Sequence, residues 1–467
     1  SGVDNTAVGA YSGDAITTGS DNTAIGDNAL GAVTTGSDNT AVGSSALLAS
    51  TGAGNTAVGA YALDANQADD VTAVGKNALT ANTTGTNNVS VGAYSGEAVT
   101  TGTNNTFIGT KAGRAVTTAS GHTAVGNAAL LTMTTGTTGT AVGFEALKVA
   151  TGNDNTAVGY QAGVAITTGN YNTALGQGAL STATTVNANT AIGNDALRTA
   201  AGAYNTAVGA SAANAITTGA NNVAIGANAM DAATTGDSNT AVGYQSLDAN
   251  TTASNNTAVG KDSLGAVTTG TSNVGLGQAT GQALTTGAYN VLIGQGVNVD
   301  GSTAEGQIVI GRNVASGGND SVRFGQAGNT LTIALNGSTT SWTAASDERL
   351  KENIEPAAAG LSFINDLRPV TYNFRKAKDV PSDFPGYQEG SDEPCLGHDY
   401  GTVNHGFVAQ EVKAVIDNHP EVKEGFDMWN TASDGVQHIG DGALVPMLVK
   451  AVQELSAKIK KLEEEDE

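Results

Sequence analysis

A five-residue pattern, Asn-Thr-Ala-Val-Gly, recurs along the first two thirds of the chain. Its nineteen glycines lie 16 or 17 residues apart, from Gly9 to Gly311. The residue before each glycine is Val, Ile or Leu, and the residue four places before it is Asn in 15 copies. The four exceptions at that position are Val71, His122, Gly139 and Gln307. This regularity predicts a solenoid, in which each repeat buries its nonpolar side against its neighbours.

The residues of the repeat favour β-structure. Thr-Ala-Val alternates polar and nonpolar side chains at period two, and Thr and Val favour strands. The intervening Thr-Thr-Gly and Asp-Asn runs are typical of turns. Helical repeats need longer units, of roughly 30 residues or more. We therefore predict a narrow β-roll with two short strands and two turns per coil. All seven prolines lie at or beyond Pro356, so none interrupts the stacked strands.

Two kinds of repeat are predicted to fill the same interior from different positions. One kind has Leu four residues after the glycine. The other has a small residue there and a branched aliphatic three residues later. The first kind includes Leu47, Leu63, Leu79, Leu147 and Leu197, and the second pairs Gly13 with Ile16, Gly96 with Val99 and Gly163 with Ile166. We also expect the aliphatic residue before each glycine to point inward, as at Val42, Val58, Val125 and Val242.

The asparagine of the repeat has two interpretations. Stacked once per turn, it can form a hydrogen-bonded ladder along the solenoid. It can equally serve only as a turn residue, since Asn tolerates positive φ. With one rung of about 4.8 Å per repeat, the 18 intervals predict a shaft of roughly 85 Å.

Composition and charge narrow the function. The chain has 63 glycines, and aromatic residues are only 4% of the total, so a single coil has little core. We therefore expect several chains to associate and to bury nonpolar surface together.

The charge and the other composition features exclude several kinds of partner. The net charge of −23 argues against nucleic acid as a partner. The chain contains no run of 18 nonpolar residues, so we predict no membrane span. The single cysteine, Cys395, excludes an intrachain disulfide. The opening at Ser1, inside a repeat, leads us to expect an upstream segment.

The repeats resemble two groups of known proteins over residues 1–311. They are similar to the left-handed β-roll heads of trimeric surface adhesins. They are still more similar to the Asn-Thr-Ala-Val-Gly arrays of phage tail fibres. The thin core, together with the C-terminal motifs described below, leads us to predict a parallel homotrimer over the whole length of the chain.

The pattern changes after Arg312. Segments 321–324 and 331–335 have the residues of strands, so we assign residues 312–345 to an irregular β neck. From Ser346, prolines, lysines and acidic residues appear together. Residues 346–467 are therefore predicted to form a separate α+β domain.

Three segments of this domain resemble the intramolecular chaperone auto-processing domain of phage tailspikes, endosialidases and tail fibres. They are Ser-Asp-Glu-Arg-Leu-Lys-Glu-Asn-Ile at 346–354, His-Gly-Phe-Val-Ala-Gln-Glu-Val at 405–412 and the run from Ala443 to Leu455. The resemblance implies a domain that trimerises, drives folding of the upstream fibre and then cuts the chain beside its serine.

The candidate catalytic residues are Ser346 and Lys351. Ser-Lys pairs act as nucleophile and base in variants of the serine triad. A lysine starts near a pKa of about 10.4, so it needs desolvation or a nearby cation, such as Arg349, to accept the proton. Taken alone, Ser346 is equally typical of a helix N-cap.

The last segment predicts a helix with heptad spacing. Val445, Val452 and Ile459 occupy a positions, and Leu448, Leu455 and Leu462 occupy d positions of a short coiled coil. Branched a residues with Leu at d favour two strands, whereas the resemblance implies three.

Other candidate sites are weaker. His398 and His405, with Asp399 nearby, have a spacing that fits no metal-ligand rule. Asp38 and Asp154 are interpreted as turn residues rather than calcium ligands, because the repeats lack the calcium β-roll pattern. No nucleotide or flavin fingerprint occurs, so no cofactor and no metal are expected.

The sequence therefore predicts a mainly β protein, a trimeric β-solenoid shaft with a C-terminal α+β chaperone domain that ends in a coiled-coil helix. The expected role is a phage tail fibre on the virion, made in the host cytoplasm and helping host attachment. Expected partners are two further copies, other tail proteins and a host-surface receptor, with no nucleic acid and no membrane insertion. The only activity expected is one self-cleavage beside Ser346. The alternatives are a bacterial trimeric adhesin on the cell surface and, less compatible with the Thr-Thr-Gly turns, an ice-binding solenoid.

Overall fold

The structure of the chain is a computed structural model. It describes residues 2–134, 136–334, 343–344, 352–384, 386–393, 395, 403–422, 428–431 and 435–465. Contacts divide the chain into two compact units, Ser1–Ala345 and Ser346–Glu467. Among the described residues, no helix combines the length and the nonpolar character needed to cross a membrane.

The first unit is a β-solenoid with one three-residue strand per repeat. Its first eighteen strands are β1 (Thr6–Val8), β2 (Thr23–Ile25), β3 (Thr40–Val42), β4 (Thr56–Val58), β5 (Thr72–Val74), β6 (Val89–Val91), β7 (Thr106–Ile108), β8 (Thr123–Val125), β9 (Thr140–Val142), β10 (Thr156–Val158), β11 (Thr173–Leu175), β12 (Thr190–Ile192), β13 (Thr206–Val208), β14 (Val223–Ile225), β15 (Thr240–Val242), β16 (Thr257–Val259), β17 (Val274–Leu276) and β18 (Val291–Ile293). Each strand pairs in parallel with the next, and equivalent residues face each other, as Thr123 faces Thr140.

The sheet continues beyond the repeats and then reverses direction. Strand β19 (Ile308–Arg312) pairs in parallel with β18 and with β20 (Ser321–Gln326). Strands β21 (Asn329–Ala334) and β22 (Thr343–Ala344) follow in antiparallel order. The strands predicted near residues 321 and 331 are therefore present.

The inward-facing residue of each strand is the middle one, so the expected orientation of the aliphatic residue before the glycine is wrong. Ala41, Ala124 and Ala241 are fully buried, whereas Val42, Val125 and Val242 are only half-buried. Val58 is also half-buried. Alternation along a strand places the first and third side chains on the opposite face from the second. A narrow coil accepts alanine in the middle position and leaves the larger valine outside.

The prediction of two strands per coil is also wrong. Outside its strand, each coil stacks on the next through backbone hydrogen bonds between turns. Leu47, for example, donates its N–H to the Ala62 carbonyl at 3.0 Å. Leu47 has φ of 50°, as do many residues at this position, and such left-handed backbone cannot continue a strand.

The asparagines form a buried ladder, so their role extends beyond the turn. The Asn22 side chain donates its amide to the Gly36 carbonyl at 2.9 Å. Its oxygen accepts the backbone N–H of Asn39 at 3.0 Å. The same pattern recurs in successive turns, for example from Asn222 to Asn239 and from Asn256 to Asn273. Each asparagine thereby satisfies backbone groups that the turn would leave unpaired inside the coil.

The glycine of the repeat allows the turns to approach closely. At Gly126 the backbone has φ of +134°, and a Cβ built there would lie 2.4 Å from the Gly143 carbonyl oxygen. Only glycine accepts this conformation together with this contact.

The two kinds of repeat do fill the same interior. Leu47, Leu147 and the other leucines four residues after the glycine are fully buried. In the other kind of repeat, a Cβ built at Gly163 would lie 3.0 Å from Cδ1 of the buried Ile166. The branched side chain therefore occupies the space that leucine fills elsewhere, which matches the prediction.

The second unit is an α+β domain. Its helices are α1 (Leu361–Asp366), α2 (Ala409–Asn418) and α3 (Leu444–Glu465), with short 3₁₀ turns at Ala377–Asp379, Pro420–Val422 and Asp441–Ala443. Two small antiparallel sheets pair β23 (Val370–Tyr372) with β24 (Asn404–Gly406), and β25 (Trp429–Thr431) with β26 (Gln437–Ile439). Its core is built around Phe363, Val412, Ile416 and Met428.

Candidate functional site

The second of the three C-terminal motifs, residues 405–412, joins a strand to a helix. His405 lies in β24 opposite Thr371, and Val412 lies in α2 with its side chain in the core. Glu411, one residue earlier, forms a two-point ion pair with Arg368, whose Nε lies 2.9 Å from the carboxylate. This hydrogen bond lowers the pKa of Glu411 and raises the pKa of Arg368. The motif thus fixes α2 to the segment after α1.

The third motif begins α3 and connects this helix to α1. Leu444 and Ala451 are buried, so one side of the helix packs on the domain. Glu454 accepts the backbone N–H of Leu361 at 2.9 Å and satisfies the first turn of α1. The predicted heptad residues lie along and beside this same side, yet they are exposed, from Val445 at 59% exposure to Leu462 at 63%. Within the part of the chain that the structure describes, this row of nonpolar side chains is largely exposed to solvent.

A buried histidine that was not identified from the sequence, His419, connects the end of α2 to α1 and to the 3₁₀ turn at Pro420–Val422. His419 Nε2 lies 2.8 Å from Asp366 at the end of α1, and Nδ1 lies 2.8 Å from Glu421. The hydrogen bonds with Asp366 and Glu421 raise the pKa of His419. Its ring also packs edge-on against Phe363, 5.3 Å between centroids. A single histidine outside any motif gives no signal in the sequence, because its partners lie 53 and 2 residues away.

A cavity of about 480 Å³ opens between the two small sheets. Aromatic and amide side chains line it, together with two imidazoles: Tyr372, Phe374, Phe384, His405, Gln437 and His438. Within the part of the chain that the structure describes, no three His, Cys, Asp or Glu side chains cluster as metal ligands do.

Several predicted site residues lie outside the described residues. These are Ser346 and Lys351, the candidate nucleophile and base, and His398 and Asp399 of the weak metal hypothesis. The two turn aspartates are described. Asp154 accepts a hydrogen bond from the Thr138 hydroxyl on the previous turn, and Asp38 occupies a left-handed turn position with φ of 60°. Both positions are those of turn residues.

Comparison with known proteins gives one clear match. Residues 346–420 match the family model described as the chaperone of endosialidase. The matched segment contains the first two motifs and ends at Pro420, between His419 and Glu421. No curated protein matches the chain. The chaperone-of-endosialidase match at residues 346–420, together with the nineteen-turn β-solenoid, fits a protein of the tail-fibre and endosialidase type.

Proposed function

We propose that the protein is a structural fibre of a phage tail, carried on the virion and contributing to host attachment. The shaft extends from the tail toward the host surface, and the C-terminal unit assists the folding of the shaft. The match of residues 346–420 to the chaperone family, after a nineteen-turn solenoid, is the observation that most favours this role. The partners are two further copies of the chain, other tail proteins and a receptor on the host surface.

Trimerisation is supported by the exposed side of α3. Val445, Val452 and Leu455 are among the heptad residues that lie open to solvent in one chain. Nonpolar a and d positions are covered when helices associate as a coiled coil. The chaperone family implies self-association into trimers, and this supports three copies in the proposal.

Self-cleavage beside Ser346 is the second part of the proposal. The Ser346 hydroxyl attacks the carbonyl of Ala345, and neutral Lys351 accepts its proton. Breaking the Ala345–Ser346 peptide bond leaves an ester on the serine oxygen and gives a proton back to the freed amine. Water then hydrolyses the ester and separates the two parts of the chain. Cleavage of the adjacent Ser346–Asp347 bond is the alternative.

A denaturing gel of the purified full-length chain tests the cleavage. We expect the wild type to release a fragment spanning residues 346–467, and Ser346→Ala and Lys351→Ala to remain intact. Ser362→Ala and Lys458→Ala, in the same unit, are matched controls and cleave as the wild type does. An intact wild-type band after long incubation as a folded assembly contradicts self-cleavage.

The chaperone role has a separate test. Residues 1–345 expressed alone are expected to aggregate or stay monomeric. The full-length Ser346→Ala chain is expected to give soluble trimers by mass photometry. Soluble trimers from residues 1–345 alone contradict a folding role for the C-terminal unit.

A further inference from the structure

The strands of the shaft present a continuous nonpolar row to the outside. This outward column consists of the aliphatic residues immediately before the repeat glycines, each exposed or half-buried: Val8, Ile25, Val42, Val58, Val74, Val91, Ile108, Val125, Val142, Val158, Leu175, Ile192, Val208, Ile225, Val242, Val259, Leu276, Ile293 and Ile310. Because adjacent strands pair in register, each member lies directly above the next.

The strands that carry the outward column are nearly free of charge: β1 to β18 contain no charged residue, and β19 contains one, Arg312. The other outward position of each strand, two residues earlier, is Thr in fourteen strands and Val or Ile in the remaining five. Asp38, Glu97 and Arg114 lie in the turns and outside these strands. A solvated sheet face normally alternates nonpolar inside with polar outside. Here the outer face keeps large aliphatic side chains in every turn.

The size of this face matches a stable protein interface. With rungs of about 4.8 Å, the face is roughly 85 Å long and about 10 Å wide, or about 850 Å². Stable interfaces bury about 800 Å² per partner. Exposed nonpolar patches on monomers are usually smaller, and larger ones mark interaction sites.

We propose that the outward column is the contact between copies of the shaft, and that three copies pack it around a common axis. This inference rests on the proposed trimer and identifies the face that forms it. A second copy is the occupant that fits best, because only a partner with the same rung spacing meets the column at every turn. Threefold symmetry brings the same residue of each copy to the same height, so that three Val125 side chains meet.

The outward column then supplies the core that one coil lacks. Inside a coil, most strands bury only an alanine, as at Ala124 and Ala241. The larger aliphatic side chain of each strand lies outside and becomes buried only when the copies associate. Most of the nonpolar burial that strands contribute therefore comes from assembly.

Cysteine cross-linking tests this arrangement in the full-length chain. In a Cys395→Ser, Ser346→Ala background, Val125→Cys and Val242→Cys are expected to give disulfide-linked dimers on a non-reducing gel under mild oxidation. Thr185→Cys and Thr218→Cys are the controls, because both side chains are exposed on another part of the coil. These controls are expected to remain monomeric on the gel.

Mass photometry of the same samples separates the two proposals. Trimers that do not cross-link at Val125 or Val242, or that cross-link equally at Thr185 and Thr218, overturn the interface and leave the trimer standing. A monomer in solution overturns the proposed trimer itself. Spin labels at the same four positions provide a second measurement without oxidation. Shorter distances between copies at the column than at the controls support the interface, and the reverse order refutes it.

Discussion

The two units of this protein reach stability by different routes. In the shaft, equivalent contacts join residues 16 or 17 apart, and each turn repeats the contacts of the turn before it. In the C-terminal unit, the joining contacts are individual and distant: His419 with Asp366 across 53 residues, and Leu361 with Glu454 across 93. A shaft of this kind gains stability turn by turn. The C-terminal unit has one core and is expected to unfold as a whole.

The two units share one property. Each leaves a row of aliphatic side chains uncovered in the single chain, the outward column on the shaft and the heptad row on α3. The rows follow different periods, one residue per 16- or 17-residue turn in the shaft and seven residues in the helix. The proposed association of identical copies accounts for both rows.

A methyl group at a repeat glycine is expected to have the largest effect. Gly126→Ala places its Cβ 2.4 Å from the Gly143 carbonyl oxygen at φ of +134° and is expected to cost about 5 kcal/mol. Hydrogen exchange should localise the damage to turns near residue 126 and leave distant turns protected. Gly301→Ala is the control, because nothing lies within 4 Å of its Cβ position. Uniform loss of protection along the whole shaft contradicts turn-by-turn stability.

Removing a core ring from the C-terminal unit is expected to act on that whole unit. Phe363 is fully buried, so Phe363→Ala should destabilise the unit by about 4 kcal/mol. Hydrogen exchange should accelerate together in α1, α2 and α3. Phe363→Leu, which keeps most of the volume, serves as the milder control. Exchange that accelerates only in α1 would show that this unit, too, is locally stabilised.

His122 tests the asparagine ladder of the shaft. Its Nδ1 accepts the N–H of Gly139 and its Nε2 donates to the Gly136 carbonyl, both at 2.9 Å, so the ring replaces an asparagine in neutral form. His122→Ala leaves both buried groups unpaired and is expected to cost about 3 kcal/mol. His122→Asn, the residue of most repeats, should restore the ladder. Equal losses in both variants, by denaturant unfolding, would contradict the ladder.

A change of pH is expected to shift the stability of the two units in opposite directions. The shifts are expected to be smaller than the losses caused by the substitutions above. Burial lowers the pKa of His122 below 6.5. The stability that neutral His122 gives to the shaft is therefore fully present above pH 6.5 and is lost as the pH falls through the lower pKa of the folded state. The hydrogen bonds to Asp366 and Glu421 raise the pKa of His419 above 6.5. The stability that protonated His419 gives to the C-terminal unit is therefore fully present below pH 6.5 and is lost as the pH rises through the higher pKa of the folded state.

Native-state hydrogen exchange at pH 5.5 and 8, corrected for intrinsic rates, measures both effects in one sample. His122→Asn should remove the acid sensitivity of turns near residue 122, and His419→Gln should remove the alkaline sensitivity near α1. Shifts of the same sign in the two units contradict the assignment of these two histidines.

Spacing along the chain was enough to predict the solenoid, the length of its repeat, the leucine and isoleucine alternatives in its interior and the helix with heptad spacing. These follow from patterns whose partners lie at fixed distances along the chain. Phe107 was not among these predictions: its ring is buried at a middle strand position, where Gly96 on the preceding turn and Gly113 on its own turn leave room for it.

Which strand residue faces inward was settled only in the folded coil. Thr-Ala-Val alternates equally well in either orientation, and the width of the coil, set by backbone contacts between turns, selects alanine. For the same reason the outward column was not foreseen. The sequence also could not predict the contacts of His419, Arg368 and Glu454. Each contact joins residues 43 to 93 positions apart, and no repeating pattern marks the partners. Periodic contacts can be deduced from spacing, whereas single long-range contacts depend on how the chain folds back on itself.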